Sequence, residues 1–224
     1  MKKRIKIDSS ILSFIIILTG LLYQFPHLYT YSLRTDDAFD LLGLIIVFWG
    51  TFLRMAARGY KKVYSQKGHG LVISGPYALT RNPMYLGSFL MGAGFILIVW
   101  PWWTLILFAV LFYIRFNKQI KKEEKHLEAL FGPDYHRYAQ KVPRVFPSWR
   151  HVRKIHFQKT FPFESSWNTK EKWGLAGWFA LAVILEVLQE KIIYGLLDIS
   201  HALIIFLFSA LIFAASLWVL YKHE

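Results

Sequence analysis

The chain has 224 residues, 55% hydrophobic and 18% aromatic, with 27 Lys plus Arg against 14 Asp plus Glu for a formal net charge of +13. That composition excludes a disordered chain, a collagen-like repeat and a disulfide scaffold. Cysteine is absent, which removes disulfides, a thiolate nucleophile, Cys-ligated zinc and iron–sulfur clusters, and no metal centre is expected. With 18% of residues charged, the apolar ones must be segregated into blocks with the charges confined between them, as in a membrane protein.

The first block, Ile11 to Leu28, follows Lys2, Lys3, Arg4 and Lys6 and superficially resembles a signal peptide. No small-residue cleavage site follows it, so a retained membrane helix is expected. Phe39 to Ala57 is long enough for a tilted span at about 1.5 Å per residue, with Arg54 near one end. From Met84 to Phe116 apolarity is nearly continuous but interrupted at Trp100-Pro101-Trp102-Trp103, which predicts two spans in a tight hairpin with interfacial tryptophans at its turn. After Arg115 the chain stays polar and basic to Lys172, predicting cytosolic short helices and loops. Two further apolar runs, Trp173 to Leu188 and His201 to Tyr221, complete the chain. The expected fold is therefore all-α: a polytopic membrane helical bundle of about six transmembrane helices with short cytosolic helices. It divides into N-terminal helices (1–66), a core carrying the hairpin and a cytosolic segment (67–150), and a basic linker with two C-terminal helices (151–224).

In that arrangement only Arg34 and Lys191 face outward; the other basic residues line cytoplasmic loops or nearby helix ends, placing both termini in the cytoplasm. The charge is thus accounted for by topology, and no nucleic-acid motif accompanies it, so nucleic acid is not an expected partner. Membrane lipids are, and the basic stretch Arg150 to Lys159 can lie against anionic headgroups. The ionisable residues placed in or beside the spans (Arg54, Glu186, Glu190) sit towards their ends, where snorkelling tolerates them. A proton or ion pathway is not indicated.

The unusual polar sequence collects in two cytosol-facing stretches. In Lys67 to Gly87, Gly75-Pro76 marks a turn and Asn82-Pro83 a helix start, with free N–H groups able to hold an anion. Arg81 beside it supplies a planar donor fork suited to a carboxylate or phosphate. Taken alone, Arg81 is a positive-inside anchor, Tyr77 and Tyr85 are interface aromatics, and His69 is a solvent-facing loop residue. In Glu123 to Pro147, Glu123 and Glu124 stand among Lys118, Lys121, Lys122 and Lys125, where ion pairing on a solvated helix is the simplest reading. Adjacent carboxylates point about 100° apart on a helix, so at most one of the two can face a buried ligand. Tyr135, Tyr138 and Arg144 read as packing aromatics and a further anchor. Gly92-Ala-Gly94 lies inside an apolar span and reads as helix-packing small residues, not a nucleotide loop.

Taken together and in order, Gly75-Pro-Tyr, Arg81-Asn-Pro-Met-Tyr-Leu-Gly87, a hairpin, Glu123-Glu-x-x-Leu, Phe131-Gly132, Tyr135, Tyr138, Val142, Arg144 and Pro147 resemble the isoprenylcysteine carboxyl methyltransferase and phospholipid methyltransferase superfamily. The resemblance covers about residues 67 to 147. It departs at Asn82, where the carboxyl methyltransferases usually carry His, which bears on the acceptor more than on the cofactor. The region from Lys154 onward has no counterpart in it.

The resemblance implies an integral membrane enzyme that uses S-adenosylmethionine and acts on a lipidic or lipid-anchored acceptor. It places His69, Tyr77, Arg81, Pro83, Tyr85, Glu123, Glu124 and Tyr138 at the cofactor, and Arg81, Asn82, Tyr85 and Arg144 at the reaction. The charge pattern pairs Glu123 or Glu124 with the cofactor's ammonium and Arg81 with its carboxylate. A carboxylate acceptor needs no general base, whereas an amine must lose a proton, for which His69, His126 or a glutamate is available. The competing readings are an NADPH-dependent membrane reductase related to the steroid reductases and a non-catalytic membrane protein.

Overall fold

The computed structural model describes residues 17–29, 33–65, 70–153, 156–163, 172–195 and 199–222. All regular structure among them is helical. After helical residues 17–22 and a 3-10 turn at Pro26–Leu28 come α1 (Leu33–Tyr64), α2 (Pro76–Leu79), α3 (Pro83–Val99), α4 (Thr104–Lys141), α5 (Trp149–Arg153), α6 (Phe157–Thr160), α7 (Lys172–Ile193) and α8 (Ile199–Lys222).

The centre of the fold is α1 packed along α3, with α8 and α7 against them. Glycines allow the α1–α3 approach. A Cβ on Gly43 would stand 2.7 Å from the Gly94 carbonyl oxygen, and one on Gly50 would stand 2.8 Å from that of Gly87. Gly94 thus belongs to a small-residue helix interface, and Gly92 faces the Phe108 ring of α4, so the Gly-Ala-Gly run packs helices as its sequence suggests. Above this crossing, Leu44, Val47, Phe48, Ile98, Val99, Ala182 and Ile205 form one apolar cluster. Below it, Phe52, Leu53, Ala56, Leu79, Leu86, Phe157 and Phe161 form a second. The basic linker is anchored here: Phe157 and Phe161 enter the core and Gln158 Nε2 donates to the Tyr221 carbonyl at 2.6 Å.

Two described helices are long and apolar enough to cross a membrane by length and composition, Thr35–Tyr64 and Ile199–Lys222. Of the six expected spans, these two meet that measure among the described residues. The others depart from it for specific reasons. The expected first span is described only from residue 17, where helix runs to residue 22 before a 3-10 turn at Pro26–Leu28, α3 at 17 residues is only about 26 Å long, and α7 carries Glu186, Gln189 and Glu190. The hairpin turn forms where the tryptophans and proline predict it: Trp100 caps α3, and both the backbone N–H and the hydroxyl of Thr104 bond the Pro101 carbonyl.

Two expectations are corrected. The segment after Arg115 does not begin as short helices and loops; the second arm of the hairpin continues as one 38-residue helix into the polar region. No Gly or Pro occurs between Thr104 and Phe131, and Lys, Glu, Leu and Ala keep the helix intact until Gly132 (φ 47°, ψ −121°) and Pro133 bend it. Glu186 and Glu190 do not snorkel: they are 0% and 3% exposed and lie beside Asp36 and Asp40, which are equally buried.

Candidate functional site

Site residues come from three places that the bend at Gly132 brings together: the 75–85 turn and start of α3, the middle of α4, and the α4 tail with the extended 142–147 segment. The turn is fixed from below by Tyr60, whose hydroxyl pairs with Ser74 Oγ at 2.9 Å and whose ring fills the space a Gly75 side chain would need. Gly75 itself has φ 62°, a conformation open to glycine. The extended segment then lies alongside: Arg81 N–H donates to the Pro143 carbonyl at 2.9 Å, and Thr80 Oγ1 lies 3.2 Å from that of Arg144.

Glu124 is the electrostatic centre. Its Oε1 is 3.3 Å from Arg81 Nη1 and 3.4 Å from Asn82 Nδ2, and its Oε2 accepts from Arg144 Nε at 2.8 Å. Neither glutamate takes the lysine pairings that its neighbours in sequence suggest; among the described residues Glu124 faces arginines, and Glu123 Oε1 accepts from Tyr85 at 2.7 Å and Gln119 at 2.9 Å. The angular argument is met: Glu124 turns inward and Glu123 is exposed. Asn82 precedes α3, yet its side chain makes no capping bond. It donates to the Arg144 carbonyl at 2.9 Å instead, so the residue best placed to cap α3 joins it to the 142–147 segment.

A cleft of about 50 Å³ opens here, lined by Tyr77, Arg81, Asn82, Glu124, Tyr135 and Tyr138, with Lys61, Leu71, Val72 and Leu127 completing its walls. A shallower concavity of about 260 Å³ shares Arg81, Glu124 and Tyr135 with it and is rimmed by Lys121, Lys125 and Glu128. Tyr138 donates to the Tyr77 carbonyl at 2.7 Å. Burial raises the hydroxyl pKa values of Tyr77, Tyr135 and Tyr138 above the usual tyrosine value, with the nearby Glu123 carboxylate adding to it at Tyr77 and Glu124 at Tyr135. These side chains are neutral donors at any ordinary pH.

Of the residues singled out in the sequence, Tyr77, Arg81, Asn82, Glu124 and Tyr138 line the cleft. Arg144 clamps Glu124, Tyr85 and Glu123 pair on the adjoining face, and Pro83 is buried in the first turn of α3 without lining the cleft. His69 lies outside the described residues. Asn117 was not anticipated. Its Oδ1 accepts from Arg144 Nη1 at 2.7 Å, and its position seven residues before Glu124 on one helix face is the signal that could have found it.

Two guanidinium groups against one carboxylate leave this corner positive. Arg81 Nε and Arg144 Nη2 are buried without a hydrogen-bond partner, so donor capacity remains for an anionic group. A ligand with an ammonium and a carboxylate on one carbon fits this donor and acceptor set.

The model of the phospholipid methyltransferase family matches residues 38–134. The chain is 35% identical over 81 residues to the protein-S-isoprenylcysteine O-methyltransferase of Schizosaccharomyces pombe, covering 36% of this chain and 34% of that protein. It is 32% identical over 130 residues to that of Saccharomyces cerevisiae, covering 54% of each, and 32% identical over 113 residues to protein-S-isoprenylcysteine O-methyltransferase B of Arabidopsis thaliana, covering 47% and 57%. The chain thus spans between about a third and three fifths of the length of these curated relatives. No solved structure matches it. The matched stretch contains Tyr77, Arg81, Asn82 and Glu124, while Tyr135, Tyr138 and Arg144 lie just beyond it. The motif order, the family match and these relatives agree in likening the chain to the isoprenylcysteine carboxyl methyltransferase and phospholipid methyltransferase superfamily.

Proposed function

We propose that this protein is a multi-pass integral membrane methyltransferase, with both termini cytoplasmic, that uses S-adenosylmethionine and modifies a lipidic or membrane-partitioned acceptor. The observation that carries the reading is Glu124 held between Arg81 and Arg144 at the wall of a tyrosine-lined cleft. Glu124 receives the cofactor's ammonium in place of Arg81, and the released Arg81 fork, with the spare Arg144 donor, takes its carboxylate. Tyr77 and Tyr138 wall the cleft, Asn82 and Pro83 fix the first turn of α3, and the resemblance assigns His69 to the same cofactor. Bound S-adenosylmethionine supplies an electrophilic methyl group.

The acceptor side is the face of Tyr85 and Glu123. From it a row of aromatic rings runs down the α3–α4 hairpin: Tyr85 against Phe116 at 5.5 Å, Phe116 against Phe112 at 4.3 Å, and Phe112 and Phe108 against Phe89 at 5.2 and 5.5 Å. Such a wall suits an isoprenoid or acyl chain arriving sideways from the bilayer. The names of the relatives support an isoprenylcysteine-type carboxylate, and the family match supports a phospholipid-type amine as the other acceptor. A carboxylate is already ionised at neutral pH, so the protein's part is to align it and exclude water.

The test is calorimetric binding of S-adenosylmethionine to the detergent-purified full chain beside its Glu124→Gln variant. Saturable binding that weakens about 10- to 100-fold in the variant is expected for a lost charge-assisted bond. Wild-type affinity in both Glu123→Gln and Glu124→Gln, or binding of NADPH in its place, overturns the reading.

A further inference from the structure

At the far end of the bundle, the start of α1 meets the end of α7 and the start of α8 around a second polar cluster that the methyl-transfer reading does not use. Asp37 lies about 36 Å along α1 from Lys61 in the cleft. Asp36 and Asp40 on one face of α1, and Glu186 and Glu190 on one face of α7, are each 3% exposed or less. His201, the third residue of α8, stands between two carboxylates, with Nδ1 2.9 Å from Glu190 Oε1 and Nε2 3.6 Å from Asp37 Oδ1. Gln189 Nε2 lies 3.2 Å from Asp36 Oδ2.

Five carboxylates thus gather at this end, two of them on one imidazole, and no Lys or Arg among the described residues pairs with any of them. Their hydrogen bonding is also incomplete. Both oxygens of Glu186, Oδ1 of Asp40 and Oε2 of Glu190 are buried without a partner, as is Oε1 of Gln189. Glu186 is wholly enclosed and within electrostatic reach of Glu190, Asp37 and Asp36, so its carboxylate belongs to the cluster and not to the lipid-facing surface. Burying carboxylate oxygens with incomplete hydrogen bonding and no Lys or Arg partner among the described residues is costly, and a bound cation is a compensation the geometry allows. Asp37, Glu190 and His201 each offer one ligand atom, all within 4.8 Å of one another. A contraction of up to about 1.5 Å brings such atoms to the tetrahedral spacing of ligands around an ion bound at about 2.0–2.2 Å.

We propose that this cluster is a divalent-cation site with Asp37, Glu190 and His201 as ligands and Glu186, Asp36 and Asp40 as supporting carboxylates, joining α1 to α7 and α8. One imidazole with carboxylate oxygens suits Zn²⁺ over the all-oxygen preference of Mg²⁺ and Ca²⁺. The ring nitrogen of His201 that does not bind the metal donates to the second carboxylate, which orients the ligand. The site gives the two C-terminal helices a role: their acidic and histidine side chains hold them to the helix that carries the methyltransferase core.

The experiment uses the full chain in detergent, free of any histidine tag, stripped with chelator and titrated with ZnCl₂ while thermal unfolding is followed. One equivalent of Zn²⁺ is expected to bind and raise the thermal midpoint, because the ion binds the folded state alone. His201→Ala is expected to lower the affinity at least about 10-fold. Asp37→Asn is expected to act in the same direction. Asp37 is 39% exposed, so its replacement tests ligation with little effect on folding. Zn²⁺ that leaves the midpoint unchanged, or binds both variants as tightly as the parent, overturns the proposal; equal binding of Mg²⁺ overturns the choice of ion.

Discussion

Arg144 donates from Nε to Oε2 of Glu124 at 2.8 Å, across twenty residues that include the Gly132 bend. The same guanidinium reaches Asn117, and the carbonyl of Arg144 accepts from Asn82. One residue therefore couples α3, α4 and the extended 142–147 segment, and sets which way the Glu124 carboxylate points.

Replacing Arg144 with Lys retains the charge and loses the fork, since an ammonium cannot bond Glu124 and Asn117 with the same planar geometry. Methyl transfer is expected to fall about 10- to 100-fold, the equivalent of about 1.5–3 kcal/mol for charge-assisted bonds. Initial rates with labelled S-adenosylmethionine and a prenylcysteine acceptor, for Arg144→Lys against the parent, measure this. A rate equal to the parent's would show that the fork has no part.

Tyr138→Phe removes a 2.7 Å bond to the Tyr77 carbonyl without changing shape. The expected loss is about 0.5–1.5 kcal/mol, or a thermal midpoint lower by a few degrees, read by intrinsic fluorescence in detergent. Cofactor affinity should fall with it, because Tyr77 and Tyr138 line one cleft.

At the α1–α3 crossing, Gly50→Ala places a methyl carbon 2.8 Å from backbone atoms of α3, which cannot rotate away. Overpacking of this kind costs about 1–3 kcal/mol. The variant should unfold at lower temperature, whereas Gly177→Ala, which meets nothing within 4 Å, should behave as the parent in the same thermal scan.

Gly132→Ala probes the bend. No atom lies near the added methyl, so the expected penalty of about 1–3 kcal/mol comes from φ 47° alone. Straightening α4 would carry Tyr135 and Tyr138 off the cleft, so calorimetric affinity for S-adenosylmethionine should drop by more than stability does.

Burial raises the pKa values of Tyr77, Tyr135 and Tyr138. A raised folded-state value means the unfolded chain ionises first as pH rises, so the contribution of these residues is complete below the ordinary tyrosine pKa and is lost above it. Stability from this source should be flat through neutral pH and decline beyond about pH 10. Ultraviolet titration of tyrosinate should show the parent ionising later than a denatured control.

The sequence by itself determined the helical class and the hairpin turn at Trp100-Pro101, and it carried the resemblance to the superfamily, because apolar blocks, proline and a spaced motif are local signals that survive in any context. It also determined that only one of Glu123 and Glu124 could face inward. Which one does was decided by the tertiary structure, because it depends on where the bend at Gly132 delivers Arg144, a contact between residues far apart in the chain. Asn117 was hidden for the same reason. The acidic cluster shows the limit most plainly: Asp36, Glu186 and His201 stand on three helices, and each reads alone as an ordinary polar residue near a helix end. Only the packing of α7 and α8 on α1 buries Asp36 and Glu186 and gathers these scattered charges beside the part-exposed His201.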